Sequence, residues 1–121
     1  MADFRGAGVM NDCIFCKIGA GQIPSRMVLQ DDEIFAFEDL NPQAPVHVLV
    51  IPKRHMASMN DLADQALLGR LLGATTLIAQ QKGIANSGYR VVANTGRDGG
   101  QTVFHLHFHV LGGRQMIWPP G

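Results

Sequence analysis

The nine residues VFHLHFHVL, at positions 103–111, constrain the fold more than any other part of this chain. Histidines alternate there with apolar residues, and successive side chains of a β-strand point to opposite faces. The alternation therefore predicts a strand with His105, His107 and His109 on one face, spaced roughly 6.5 to 7 Å apart. The opposite face is predicted to be core, formed by Phe104, Leu106, Phe108 and Val110.

Three imidazoles in a row indicate chemistry rather than a solvent-facing strand. Such a strand normally uses Thr, Lys or Glu, and sheet propensity does not favour histidine at three alternate positions. A neutral imidazole is a nucleophile near physiological pH because its reference pKa is about 6.5, and a second imidazole can donate a proton to a departing group. Chelation of a metal by histidines at i and i+2 remains open, although no carboxylate alternates with them.

A glycine-rich segment, TGRDGGQ at residues 95–101, directly precedes the histidines. Backbone N–H groups of such a segment can surround phosphate oxygens, because glycine has no Cβ to obstruct them. A purely structural turn is the alternative. Because this segment is adjacent to the histidines, a nucleophile, an acid and an anion-binding loop can share one site. Phosphoryl and nucleotidyl transfer are the reactions that use all three.

The rest of the chain predicts more strands than helices. A short helical turn is expected at residues 13–18, before Gly19. The strand at 46–51 places His47 on the same face as Leu49 and Ile51. The predicted strands are Met27–Gln30, Ile34–Glu38, 46–51, 89–94 and 103–111.

One long amphipathic helix is predicted at residues 60–82, where apolar residues recur at steps of three and four. Asn60 or Asp61 is expected to cap its start, and Lys82 with Gly83 to end it. The fold class is therefore α+β, with a five-stranded, mostly antiparallel sheet, one long helix and a short N-terminal helix.

Composition limits the partners of the chain. Its 121 residues make one domain, which we place at residues 12–121 after a flexible tail at residues 1–11. Ten Lys and Arg balance ten Asp and Glu, which argues against nucleic-acid binding. No run approaches the ~18 apolar residues of a membrane span, and the two cysteines are too few for a disulfide framework. A cytoplasmic protein is expected.

The segment HLHFHVL matches the pattern His-φ-His-φ-His-φ-φ, with φ apolar, of the histidine triad (HIT) superfamily. The resemblance runs from about Cys13 to the last residue. It implies a single HIT-like domain that forms a homodimer with a continuous sheet. Four further stretches resemble the Hint branch: DLNPQAPVH at 39–47, IPK at 51–53, GGQTV at 99–103, and LGGR through WPPG at 111–121.

The resemblance implies hydrolysis of purine nucleoside 5′-phosphoramidates, such as adenosine 5′-monophosphoramidate, through a covalent nucleotidyl-histidine and without a catalytic metal. His107 would be the nucleophile, with its other ring nitrogen held by a backbone carbonyl. His109 would contact the phosphate and assist proton transfer. His47 would orient this row of histidines, and His105 is the remaining member of the row.

The resemblance also implies the substrate contacts. Asp39 would bind the ribose hydroxyls with Leu40 nearby, although an Asx turn is an equally good explanation of Asp39. Thr102 stands where the branch commonly has serine, and it keeps the hydroxyl. The residues expected to line the phosphate are Asn94, Gly100, Gln101 and Thr102.

Cys13 and Cys16 resemble the cysteine pair of zinc-containing bacterial members and of galactose-1-phosphate uridylyltransferases. With His55 and His105 they would form a Cys₂His₂ tetrahedron that holds a structural zinc. Two reduced thiols packed as small apolar groups are the alternative.

Two other functions remain open. One is a dinucleoside polyphosphate hydrolase or nucleotidyltransferase, against which the Hint-like tail ending in Trp118 argues. The other is a nucleotide-binding regulatory or scaffold protein in which catalysis is incidental.

Overall fold

The computed structural model describes residues 12–121, and these contain one antiparallel sheet in the strand order β1-β2-β3-β5-β4. The α+β class, the five strands, the long helix and the short N-terminal helix are confirmed. The predicted tail at residues 1–11 lies outside the described residues and stays a prediction. The elements are α1 Ile14–Gly19, β1 Met27–Gln30, β2 Ile34–Glu38, β3 Val46–Pro52, a 3₁₀ turn Met59–Asp61, α2 Gln65–Gln81, β4 Tyr89–Val92 and β5 Phe108–Gly112.

The two faces of the sheet carry different clusters because the strands alternate. The helix α2 covers one face, where Val48, Val50 and Val110 are buried with Leu71 and Ile78. The opposite face packs against α1, and the cluster there joins Phe15 and Ile18 of the helix to Phe35, Phe37, Leu49 and Ile51 of the strands. Within residues 12–121, no helix is both long and apolar enough to cross a bilayer.

The predicted bounds of the long helix are wrong at its start. Residues 59–61 form a separate 3₁₀ turn, and α2 begins at Gln65. A carboxylate oxygen of Asp64 accepts from the Leu67 amide at 3.2 Å, so Asp64, rather than Asn60 or Asp61, caps the helix. The predicted end is confirmed, since Lys82 is the C-terminal cap and Gly83 has a φ of +75°.

The predicted strand at residues 103–111 is also too long. Strand β5 begins only at Phe108, because the Leu106 amide donates to the carbonyl of Met56 at 2.8 Å and not to a ladder partner. Phe104, predicted in the core, is 56% exposed, whereas Leu106, Phe108 and Val110 are buried as expected. Strand β4 likewise ends at Val92, two residues before the predicted end.

Candidate active site and metal centre

His107 is buried and is held by its own chain. Its Nδ1 lies 2.7 Å from the carbonyl oxygen of His105, and a carbonyl can only accept, so Nδ1 carries the hydrogen. In the neutral ring, Nε2 then keeps its lone pair. Burial lowers the pKa of His107, although the carbonyl of His105 and the charge of Asp39 oppose that shift. The ring of Phe15 meets it edge-on, with centroids 5.0 Å apart. A neutral imidazole with an unprotonated Nε2 is a competent nucleophile.

His47 and His109 form a second pair on the same face of the sheet. The Gln43 amide donates to Nδ1 of His47 at 3.0 Å, which leaves the hydrogen on Nε2. That Nε2 lies 2.9 Å from Nδ1 of His109 and donates to it. Burial, together with the charges that His107 and His47 can carry, lowers the pKa of His109 to about 4. The ring is therefore neutral at physiological pH, and its remaining hydrogen lies on Nε2.

The histidine row is more compact than an ideal strand predicts. The ring centroids of His107 and His109 are 5.0 Å apart instead of roughly 6.5 to 7 Å. The predicted value is the backbone repeat of a regular strand, whereas His107 lies before the first residue of β5 and the ring distance also depends on side-chain direction. His47, by contrast, lies within β3 and pairs with Leu111, as the alternation of that strand requires.

Asp39 contacts both a turn and the histidines. Its Oδ1 accepts from the Asn41 amide at 2.8 Å, which is the Asx turn considered as an alternative. Its Oδ2 lies 3.4 Å from Nε2 of His47. Leu40, next to it, is 77% exposed, and all three residues line a cavity of about 320 Å³. The ribose-binding role of Asp39 and Leu40 stays a prediction.

The glycine-rich loop is closed by its own hydrogen bonds. Nδ2 of Asn94 donates to the carbonyl of Gly99 at 2.7 Å. The Gln101 side chain accepts from the Gly96 amide at 3.0 Å and donates to the carbonyl of Ala57 at 2.6 Å. The amide of Gly100 donates within the loop to Arg97.

These internal hydrogen bonds occupy donors of residues that are predicted to contact phosphate. Asn94, Gly100 and Gln101 each use a donor to hold the loop, whereas Thr102 is exposed beside it. A Cβ at Gly99 would lie 2.3 Å from the carbonyl oxygen of Thr95, so the loop requires glycine there. The contacts of all four predicted residues with phosphate stay predictions.

The predicted metal ligands come together. Sγ of Cys13 lies 3.4 Å from Nδ1 of His105, and Sγ of Cys16 lies 3.3 Å from Nδ1 of His55 and 3.5 Å from Nδ1 of His105. All four ligand atoms lie within 4.8 Å of one another. A tetrahedral ion with metal–sulfur and metal–nitrogen bonds of about 2.3 and 2.0 Å separates S from N by roughly 3.5 Å. The donor set therefore fits a Cys₂His₂ metal site.

His105 is oriented for this site. Its ring is fully buried, and Nε2 lies 2.8 Å from the carbonyl oxygen of Pro52, so Nε2 carries the hydrogen. The lone pair of Nδ1 consequently faces the two thiols. This arrangement disfavours the alternative in which three alternating histidines chelate one ion, because His105 belongs to the cysteine group and His109 groups with Asp39 and His47.

The backbone groups that fix these rings could not be predicted from the sequence. The amide of Gln43 and the carbonyl of Pro52 determine which nitrogen of His47 and of His105 carries hydrogen. Every residue has an amide or a carbonyl, so neither group leaves a signal in the sequence.

Comparison with known proteins places the chain in one family. A model of the HIT domain matches residues 20–116. An uncharacterised HIT-like protein of Synechococcus elongatus is 54% identical over 112 residues, covering 91% of this chain and 97% of that one. A purine nucleoside phosphoramidase of Escherichia coli K12 is 47% identical over 107 residues, covering 87% and 90%.

Solved structures agree with the sequence comparison. A HIT family hydrolase from Legionella pneumophila superposes with a TM-score of 0.88 at 50% identity, covering 91% of this chain and all of that chain. A histidine triad protein from Clostridium difficile gives 0.85 at 46% identity, covering 89% and 96%. Because the HIT domain model matches residues 20–116 and these proteins align with most of the chain, this chain belongs to the HIT family.

Proposed function

We propose that this protein hydrolyses purine nucleoside 5′-phosphoramidates to a nucleoside monophosphate and an amine, through a nucleotide bound covalently to His107. The observation that carries the proposal is the hydrogen bond from Nδ1 of His107 to the carbonyl of His105, which leaves Nε2 as the attacking atom. Similarity to a hydrolase and to a phosphoramidase supports the reaction class.

The reaction takes two displacement steps. In the first, the lone pair of Nε2 of His107 forms a bond to the α-phosphorus, and the P–N bond of the substrate breaks. The electron pair leaves on the amine nitrogen, which takes one proton from bulk water, and His109 assists by donating its Nε2–H to the phosphoryl oxygen. The carbonyl of His105 stabilises the positive charge that develops on the ring of His107.

In the second step, water attacks the same phosphorus. A P–O bond forms, the P–N bond to His107 breaks, and the proton that water loses replaces the one taken by the amine. The net reaction consumes one water. In this scheme Asp39 and Leu40 bind the nucleoside, and the phosphate contacts come from Asn94, Gly100, Gln101 and Thr102.

The Cys₂His₂ group is proposed to hold a structural zinc. Two thiolates and two imidazoles fill all four tetrahedral positions, so the ion supplies folding energy rather than an open position for catalysis. Cys13 and Cys16 belong to the start of α1, whereas His105 belongs to the catalytic segment. The ion would therefore fasten α1 to that segment, and no catalytic metal is required.

The functional unit is proposed to be a cytoplasmic homodimer. Strand β4 lies at one edge of the sheet, which a second copy can extend. Ile117 and Trp118, in the tail that resembles the Hint branch, are exposed on the isolated chain. The balanced net charge argues against nucleic acid as a partner.

Incubation with adenosine 5′-monophosphoramidate tests the function. We expect release of AMP and an acid-labile nucleotidyl adduct, both absent in His107→Ala. A higher kcat/KM for a dinucleoside polyphosphate would instead support the alternative hydrolase. Tight AMP binding without turnover of either substrate would make this a nucleotide-binding protein.

A further inference from the structure

Asp39, His47 and His109 form a connected polar group on the active-site face. Nε2 of His47 lies 2.9 Å from Nδ1 of His109 and 3.4 Å from Oδ2 of Asp39. The side chain of His47 is 4% exposed and that of Asp39 is 22% exposed, so solvent competes little for these contacts. One N–H of His47 therefore faces both an imidazole acceptor and a carboxylate.

We propose that Asp39 is a positioning residue that acts through His47 to fix His109 as a neutral imidazole donating from Nε2. The inference rests on the proposed function only in assigning the recipient of that N–H, which is the phosphoryl group of the substrate. It adds to Asp39 a role that is separate from the ribose.

Two contacts on opposite sides of the His47 ring enforce the same tautomer. The Gln43 amide donates to Nδ1 at 3.0 Å, so hydrogen is excluded from that nitrogen. The carboxylate of Asp39 lies beside Nε2 and favours hydrogen there. The Asn41 amide anchors the other oxygen of Asp39 at 2.8 Å, which holds the carboxylate in place.

The tautomer of His47 then determines that of His109. Because His47 donates to Nδ1 of His109, that nitrogen must accept, and the hydrogen of the neutral ring lies on Nε2. A protonated His109 would place a second hydrogen against the His47 N–H. The titratable groups that face His109 are His107, His47 and Asp39, and burial lowers its pKa to about 4.

A metal ion is a poorer explanation of the same group. Ligand atoms of Asp39, His47 and His109 do lie within 4.8 Å of one another. However, Nε2 of His47 would have to lose its hydrogen to bind an ion, while Nδ1 is already accepting from Gln43. The ring would become an anion, so a hydrogen-bond network is favoured over a cation site.

Nitrogen NMR of the histidine-labelled protein at pH 7, without nucleotide, tests the assignment directly. We expect Nε2–H tautomers for both His47 and His109 in the wild type. In Asp39→Asn the side-chain oxygen still accepts from the Asn41 amide, so an NH₂ group takes the place of Oδ2 and opposes the hydrogen on Nε2 of His47. This donor–donor contact competes with the Gln43 amide, so the His109 shifts should move toward a mixture of tautomers. A role confined to ribose would leave these shifts unchanged because no ribose is present.

Kinetics separate the two roles of Asp39. With adenosine 5′-monophosphoramidate and with its 2′,3′-dideoxy analogue, Asp39→Asn should lower kcat by similar factors of about 10 to 100, the range found for residues that orient metal-bound histidines. Asp39→Ser, which also offers an acceptor to Asn41, replaces Asp39→Asn if that variant does not fold.

Two outcomes would overturn the inference. One is a wild-type His109 that is protonated at pH 7 or carries its hydrogen on Nδ1. The other is a loss confined to the ribose-containing substrate, with unchanged His109 shifts, which would make Asp39 a ribose ligand only. Absence of turnover in the wild type would refute the proposed function alone, since the nitrogen shifts decide the tautomer without substrate.

Discussion

His105 and His107 lie two residues apart and are both buried, yet they present opposite nitrogens to their surroundings. Nε2 of His105 donates to the carbonyl of Pro52, so Nδ1 faces the cysteine thiols. Nδ1 of His107 donates to the carbonyl of His105, so Nε2 is left for a substrate. The backbone acceptor therefore decides which nitrogen of a buried imidazole is left for a metal ion or for a substrate.

The two centres meet at His105. Its side chain faces the proposed metal site, and its carbonyl accepts from the ring of the proposed nucleophile, His107. Substitution of a side chain outside this residue should therefore affect one centre and spare the other.

The largest effect is expected from His107→Ala. Removal of the attacking nitrogen should lower turnover of adenosine phosphoramidate by about 10⁴-fold or more. Metal content per chain should equal that of the wild type, because His107 contributes no ligand. Parallel assays of AMP release and metal stoichiometry check both statements. Residual turnover within tenfold of the wild type would contradict the assignment of the nucleophile.

The reciprocal effect is expected from Cys16→Ser. Loss of one thiolate should remove zinc and lower the free energy of unfolding by about 4 kcal/mol when free metal exceeds its Kd a thousandfold. The kcat should change less than the stability does, since the carbonyl of His105 remains in place. Denaturant unfolding with and without a chelator measures the change, and the chelator should not destabilise the variant further.

Two results would break the separation. Metal content near zero in wild-type protein never exposed to chelator would refute the zinc site. Equal losses of kcat and stability on chelation would indicate a catalytic metal instead of a structural one.

The lowered pKa of His109 should make the free energy of unfolding depend on pH. The pKa of His109 is about 4 in the folded protein, against about 6.5 for the unfolded chain. Above pH 6.5 neither state binds the proton, and no stability is lost. As the pH falls toward 4, only the unfolded state binds it, so the free energy of unfolding decreases. Denaturant midpoints measured across this range should fall less steeply in His109→Gln, and equal slopes would contradict the shift.

The smallest effect is expected at Thr102. Thr102→Val removes the hydroxyl proposed to contact phosphate and should raise KM about tenfold, as for one lost hydrogen bond to a charged group. Thr102→Ser keeps the hydroxyl and should match the wild type. Steady-state kinetics of the two variants check this prediction. Identical KM values for Thr102→Val and Thr102→Ser would contradict a contact between Thr102 and the phosphate.

The sequence predicted much of the fold because burial follows periodicity. Leu106, Phe108 and Val110 are in the core as the alternation required. The prediction is wrong at Phe104, because the segment before Phe108 makes other hydrogen bonds than those of the ladder. It is also wrong at the start of α2, because the helix begins later, after its cap at Asp64. Alternation describes a regular strand and cannot indicate where the strand stops being regular.

The sequence predicted the members of the two centres better than their chemistry. The ligand set of the metal group is brought together as expected, from segments that lie far apart in the chain. The Asx turn of Asp39 and the internal bonds of Gln101 show that a side chain assigned to a ligand can also hold the protein's own backbone. A sequence motif identifies the residues of a site, but it does not show which hydrogen bonds their side chains already make within the protein.

The residues alone determined that a row of imidazoles would lie beside a glycine-rich turn on an α+β sheet. Residue types and their spacing are sufficient to indicate it, although the regular strand that they predict begins only at Phe108. Only the tertiary structure decided which nitrogen of each ring is available. That choice depends on the direction of single hydrogen bonds to Pro52, His105 and Gln43, whose backbone groups are positioned by the folded chain.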